Sequence, residues 1–166
     1  MVLKKTSCCG LRLQIELADE QASERLAAGL AMLAGKGDLI ALEGDLGAGK
    51  TTFARGILRG LGYEGKVKSP TYNLVELYKI SRLYFYHFDF YRFTDPIEWE
   101  EAGFREYFNE NSICLVEWPE KAEKLLPIAD VQISFTIIGT GRNIEIQAGT
   151  EVGRQCLNDW QVQRHP

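Results

Sequence analysis

Cysteine and histidine are scarce in this chain, four of the first and two of the second in 166 residues. Cys8 and Cys9 are adjacent while Cys114 and Cys156 stand alone, so no pair has the short spacing of a metal-binding knuckle. Cys114 lies in an apolar run and reads as a buried thiol. Such usage fits a reducing, cytoplasmic setting. No apolar run approaches the roughly 20 residues of a membrane span, and the apolar part of Met1–Thr6 is too short for a signal peptide. No membrane association is therefore expected. An excess of positive charge is missing too. Nineteen basic against 23 acidic residues give a net charge of −4, which argues against a protein that coats nucleic-acid phosphates. Internal repeats, low-complexity segments and linkers rich in Pro, Gly or Ser are not found. What remains is 45% hydrophobic, enough for one compact domain over residues 1–166. Its core is expected over about residues 11–150, with 151–166 as a loose polar tail.

The charge that is present is unevenly spread. Residues 44–92 carry eight basic and four acidic groups, whereas residues 93–130 carry three and ten. Hydrophobic periodicity predicts a strand over Leu11–Leu17, an amphipathic helix over Ala18–Ala34 and a buried strand over Asp38–Glu43. A helix follows over Thr51–Leu61, then paired strands over Tyr72–Ile80 and Arg82–Phe90 with a turn near Ser81. Helix is expected over Pro96–Asn109 with a break at Gly103, and a brief one over Lys121–Leu126. Ser112–Val116 reads as a buried strand, and Val131–Ile138 with Asn143–Ala148 as a hairpin. Helices alternating with strands, then hairpins, indicate an α/β fold with a mixed parallel/antiparallel sheet in a three-layer arrangement.

The strongest motif is Gly44-Asp45-Leu46-Gly47-Ala48-Gly49-Lys50-Thr51, a G-x-x-x-x-G-K-[ST] loop between a predicted strand and a predicted helix. Glycines let successive backbone N–H groups converge on phosphate oxygens, and the helix N-terminus attracts the anion. Lys50 is expected to reach the β- and γ-phosphates, Thr51 to supply a hydroxyl to Mg²⁺, and Thr52 to complete the loop's contacts. The Asn-Lys-x-Asp guanine reader is missing, which favours ATP.

A P-loop enzyme also needs a carboxylate at the end of a neighbouring strand. Ile113-Cys-Leu-Val-Glu117 has the Walker-B form with Glu in place of Asp, while Asp89 ends the strand that carries His87 on the same face. Either acid can serve the metal or orient a nucleophile. His87 reads as a structural histidine rather than a base, and Arg92 either meets phosphate charge or pairs with an acid. Ser69-Pro-Thr71 stands where switch proteins place a γ-phosphate sensor. Alternation makes the aromatic run Tyr84–Tyr91 half core and half partner-facing surface.

Taken together, Gly44–Thr51, Ser69-Pro-Thr-Tyr72, His87-x-Asp89-x-Tyr91-Arg92 and Glu117-Trp118-Pro119 resemble the TsaE family over about residues 11–150. That is a family of small bacterial P-loop ATPases in tRNA threonylcarbamoyladenosine biosynthesis. The resemblance implies partnership with TsaD and TsaB, which transfer a threonylcarbamoyl group to adenosine 37 of tRNAs reading ANN codons. ATP hydrolysis would act on that complex, and tRNA would be engaged only indirectly. It further implies that Lys50 and Thr51 bind phosphate and Mg²⁺, that Glu117 completes the metal site, and that Asp89 engages the water or the metal. Slow, partner-stimulated hydrolysis of ATP is the activity expected. A small-molecule kinase is the rival enzyme, and a nucleotide-dependent binding module without obligatory hydrolysis is the rival from another class.

Overall fold

The computed structural model describes residues 10–32 and 34–164. Cys8, Cys9, Leu33 and the N-terminal segment lie outside the described residues. Seven strands form one sheet in the order β1-β7-β6-β2-β5-β4-β3. These are β1 (Arg12–Leu17), β2 (Leu39–Gly44), β3 (Val75–Ile80), β4 (Leu83–Asp89), β5 (Ser112–Glu117), β6 (Val131–Ile138) and β7 (Gly141–Ala148). The central strands β6, β2, β5 and β4 run parallel, and antiparallel pairs β6–β7, β1–β7 and β3–β4 flank them. The expected mixed sheet is thus present, and β2, β4 and β5 all end on one side of it.

Helices α1 (Glu20–Ala31) and α2 (Lys50–Gly60) cover one face of the sheet. Asp19 caps α1 by accepting the Ala22 N–H at 2.7 Å, and Leu26, Ala27, Leu30 and Ala31 form its buried stripe. Ile40, Leu42, Leu115 and Ile144 meet Phe53, Ile57 and Leu58 of α2 in an aliphatic core. The opposite face is covered by thinner elements. These are α3 (Pro96–Ala102), capped by Asp95, and two 3-10 turns over Phe104–Tyr107 and Pro119–Ala122. Gly103 ends α3 at φ 67°, so the helix expected to reach Asn109 divides at the predicted break. Likewise the brief helix expected over 121–126 is the 3-10 turn at 119–122. Under this layer lies a second core rich in rings: Phe88, Phe90, Trp99 and Phe104 are all buried.

Two expectations require correction. Residues 151–164 are not a loose tail; they form α4 (Glu151–Arg164), with Leu157 and Trp160 buried in the aliphatic core. Only two large apolar side chains, three residues apart, hold this helix, too few to stand out among polar neighbours. Its first turn is tied by Thr150, which accepts the Gly153 N–H at 3.2 Å and donates to Asp130 at 2.6 Å. The aromatic run is not half surface either. β4 is an interior strand covered on both faces, so Phe85 faces α2 while Phe88 and Phe90 face the ring core, and Tyr84 and Tyr91 carry the exposure. Cys114 is buried as expected, its thiol donating to the Tyr107 carbonyl at 3.3 Å, and burial pushes that thiol's pKa up to about 12.

Candidate functional site

At the carboxyl end of β2 the chain turns through Asp45–Gly49 and enters α2 at Lys50. Gly44 must be glycine. It sits at φ 150°, and a Cβ there would lie 2.9 Å from the Phe135 carbonyl oxygen of neighbouring β6. Gly47 and Gly49 take φ 79° and 101° with open space where a Cβ would point, so the concave side of the loop stays clear. Lys50 folds back over this concavity. Its ammonium donates to the Gly44 carbonyl and, at 3.1 Å, to that of Asp45, and lies 4.0 Å from the Trp118 ring centroid. Desolvation pushes its pKa down, against the opposing pull of Glu117, Glu120, Asp89 and Asp45.

Thr51, one residue on, points its hydroxyl at the end of β5 and donates to Glu117 Oε1 at 3.1 Å. The same oxygen accepts from His87 Nε2 at 2.8 Å. Both His87 and Glu117 are buried, and the other ring nitrogen of His87 has no hydrogen-bond partner among the described residues. The parallel register places Asp89 directly beside Glu117 and His87 beside Leu115. Asp89 and Glu117 are therefore neighbours on the face that looks toward α2. Asp89 accepts the Tyr91 N–H at 2.9 Å through one oxygen, and the Thr71 hydroxyl approaches the other at 3.4 Å. Burial pushes the Asp89 carboxyl pKa up, the nearby Glu117 charge adds to this, and the Tyr91 hydrogen bond opposes it.

The predicted sensor segment reaches the same spot. Ser69 and Thr71 share a hydrogen bond of 2.8 Å, and the loop is stitched to the strand by Leu74 N–H to Pro70 O at 2.8 Å and Asp89 N–H to Leu74 O at 2.9 Å. Lys50, Thr51, Asp89, Glu117 and Thr71 thus converge although they are spread over 68 residues of chain. Leu46 sits exposed at the loop tip, and Ala48 is buried beneath it. Thr52 turns away from the acids and donates to Glu20 of α1 at 2.9 Å. On that outer side a hollow of 270 Å³ lies between Asp19, Ser23, Thr52 and Thr140.

Two groups in this region were not assigned from sequence. Arg142, at the start of β7, donates to the Ala48 and Gly47 carbonyls at 2.9 and 3.2 Å, bracing the loop from behind. It lies 94 residues from Ala48, so its role is set by the sheet order and by no local pattern. Trp118 takes a left-handed φ of 57° right after Glu117 and stands between Lys50 and Tyr91. Arg92 pairs with no acid among the described residues; its guanidinium lies 4.8 Å over the Tyr72 ring.

The donor set suits a hard cation beside a polyphosphate. A hydroxyl and a carboxylate 3.1 Å apart would supply oxygen ligands next to the glycine loop. Residues 17–144 match the family described as threonylcarbamoyl adenosine biosynthesis protein TsaE. The tRNA threonylcarbamoyladenosine biosynthesis protein TsaE of Haemophilus influenzae is 50% identical over 123 residues, covering 74% of this chain and 78% of that protein. The protein of the same name from Rickettsia felis is 37% identical over 129 residues, 77% of this chain and 75% of that one. The crystal structure of Bacillus subtilis YdiB shares the fold with a TM-score of 0.82 at 31% identity, covering 96% of this chain and all of that one.

Proposed function

The chain belongs to the TsaE family of tRNA threonylcarbamoyladenosine biosynthesis proteins, and on that premise we propose that it binds and hydrolyses ATP in the service of that modification. The observation that carries this reading is the meeting of Thr51, Glu117 and Asp89 beside the glycine loop, at the carboxyl ends of parallel strands. ATP would lay its phosphates along the Gly44–Thr51 amides, with its nucleoside toward the hollow at Asp19 and Thr140. Lys50 would leave the Gly44 and Asp45 carbonyls to meet the β- and γ-phosphates. Thr51 and Glu117 would hold Mg²⁺, directly or through water, and the ion would neutralise charge building on the phosphate oxygens. His87 acts on Glu117 alone, as a positioning residue that fixes one carboxylate oxygen.

Asp89 would orient the attacking water, a role supported by a raised pKa that keeps its basicity above that of an ordinary aspartate. Thr71 would release Asp89 and turn to the γ-phosphate, so Ser69–Thr71 reports nucleotide state. The protein does little covalent chemistry; preorganised charge is its contribution. The complex acted on would be TsaD–TsaB, with tRNA met only through it.

The test is phosphate release from Mg²⁺-ATP, with and without purified TsaD–TsaB, run beside the tRNA modification assay. Release to water, stimulated by the complex and lost together with modification in Lys50→Ala, is expected. A phosphorylated metabolite would favour the kinase reading. Modification that survives loss of hydrolysis but not of ATP binding would favour the binding module.

A further inference from the structure

β2 sits at the centre of the sheet, parallel to both neighbours, a position normally covered on both faces. Its α2-facing side chains, Ile40 and Leu42, are sealed in the aliphatic core. On the other face Leu39 and Ala41, each 5% exposed, lie at the base of a groove of 560 Å³ whose exposed apolar side chains are Pro127 and Ile128. The hollow has a simple cause. Ala41 is the small residue of its row, between Val116 of β5 and Gln132 of β6, and residues 119, 120, 123 and 126–129 form a wall without filling the space above it. Ile128, on that wall, is 77% exposed.

The rim has one sign. Glu43, Glu120 and Glu123 line the groove, and among the described residues no lysine or arginine does, Lys121 and Lys124 falling outside the lining. These acids are the local part of the excess in residues 93–130, together with the last side chain before the phosphate loop. Exposed apolar side chains under an acidic rim disfavour an acidic occupant and fit an aliphatic side chain flanked by cations. Glu120 also lies within electrostatic reach of the Lys50 ammonium, so the groove adjoins the nucleotide site.

We propose that this groove docks a segment of the partner protein in which an aliphatic side chain is flanked by lysine or arginine. The proposal rests on the reading that the chain acts on TsaD–TsaB, and it assigns the part of the surface that engages that complex. A cation seated at Glu120 would draw on a carboxylate that otherwise supports Lys50, which gives docking a route to the phosphate loop.

The experiment is titration of the full chain with purified TsaD–TsaB by interferometry at about 0.15 M salt. Glu43→Gln with Glu123→Lys takes the rim from three negative charges to none net. Glu101→Lys with Glu106→Lys changes exposed acids of the same acidic stretch outside the groove and serves as the control. ADP affinity of each variant reports whether the nucleotide site is intact. The rim variant should bind TsaD–TsaB at least about tenfold more weakly, with ADP affinity within twofold of the parent and the control pair near wild type. Equal losses in rim and control variants, or no loss in the rim variant, would overturn the proposal. A concentration-dependent homodimer that the rim variant abolishes would overturn it as well, since the occupant would then be a second copy. If the wild-type chain fails to bind TsaD–TsaB at all, the partner reading itself falls and this proposal with it.

Discussion

Two pairs of acids sit at opposite ends of the parallel part of the sheet, Asp38 and Asp130 just before β2 and β6, Asp89 and Glu117 at the last residues of β4 and β5. At the amino end of β2, Asp38 accepts the Gly35 N–H at 2.7 Å, and Asp130 accepts the Leu39 N–H at 2.8 Å and the Thr150 hydroxyl at 2.6 Å. At the carboxyl end, Glu117 is held by the Thr51 hydroxyl and the His87 ring, and Asp89 by the Tyr91 N–H and, loosely, Thr71. Burial pushes both Asp38 and Asp89 up, so desolvation alone does not tell the pairs apart. Their partners do. The first pair is spent mainly on backbone groups that nothing else can satisfy, and it anchors the start of β2 and of α4. The second is held mostly by side chains that can turn away when a ligand arrives, beside a glycine loop open to anions. A perturbed carboxylate is a reagent where its partners can let go and a strut where they cannot.

Substitutions at the two ends should therefore fail differently. The largest effect is expected for Lys50→Ala, which should weaken ATP binding at least about 100-fold while leaving the melting temperature near that of the parent; calorimetric titration measures the first and thermal unfolding the second. Asp89→Asn keeps the Tyr91 hydrogen bond and removes a desolvated charge. Turnover should drop about tenfold or more in a phosphate-release assay, with unfolding at neutral pH unchanged or slightly later. Asp130→Ala should do the reverse. It strands the Leu39 N–H and the Thr150 hydroxyl, costing about 2 kcal/mol in urea unfolding with turnover per folded molecule preserved.

The smallest effect is set by the sign of the Asp38 shift. Its folded pKa lies above the ordinary 3.8, so the ionised carboxylate costs stability at neutral pH, and that cost is relieved as pH falls through the raised value. Asp38→Asn should raise the melting temperature by about 1–2 °C at pH 7, and the gain should fade toward pH 4.

The reagent end was far more legible in the sequence than the strut end. Gly44–Thr51 is a local pattern, since loop, strand and helix are contiguous, and the structure places them as read. Glu117 and Asp89 were visible as acids ending apolar strands, and the parallel register of β4 with β5 brings them side by side. Sequence spacing left open how Asp89 and Glu117 divide their tasks; their hydrogen-bond partners differ, with Thr51 on Glu117 and Thr71 on Asp89. His87 was read as structural; it is buried against Glu117, with its Nε2 on the carboxylate. Asp38 and Asp130 passed unnoticed because their pairing depends on β6 lying beside β2, which no local periodicity encodes. Helix α4 was missed for a related reason. Its stability comes from Leu157 and Trp160 docking on a distant core and from a Thr150–Asp130 bond, with a weak apolar stripe of its own.

The central claim is that the Thr51–Glu117–Asp89 end is a centre of ATP hydrolysis. Glu117→Gln tests it most directly, because the amide keeps the size and one acceptor oxygen but removes the charge. Phosphate release from Mg²⁺-ATP in the presence of TsaD–TsaB should fall about 100-fold relative to wild type, with ADP affinity in the absence of metal retained. Equal release by the two proteins would contradict the account.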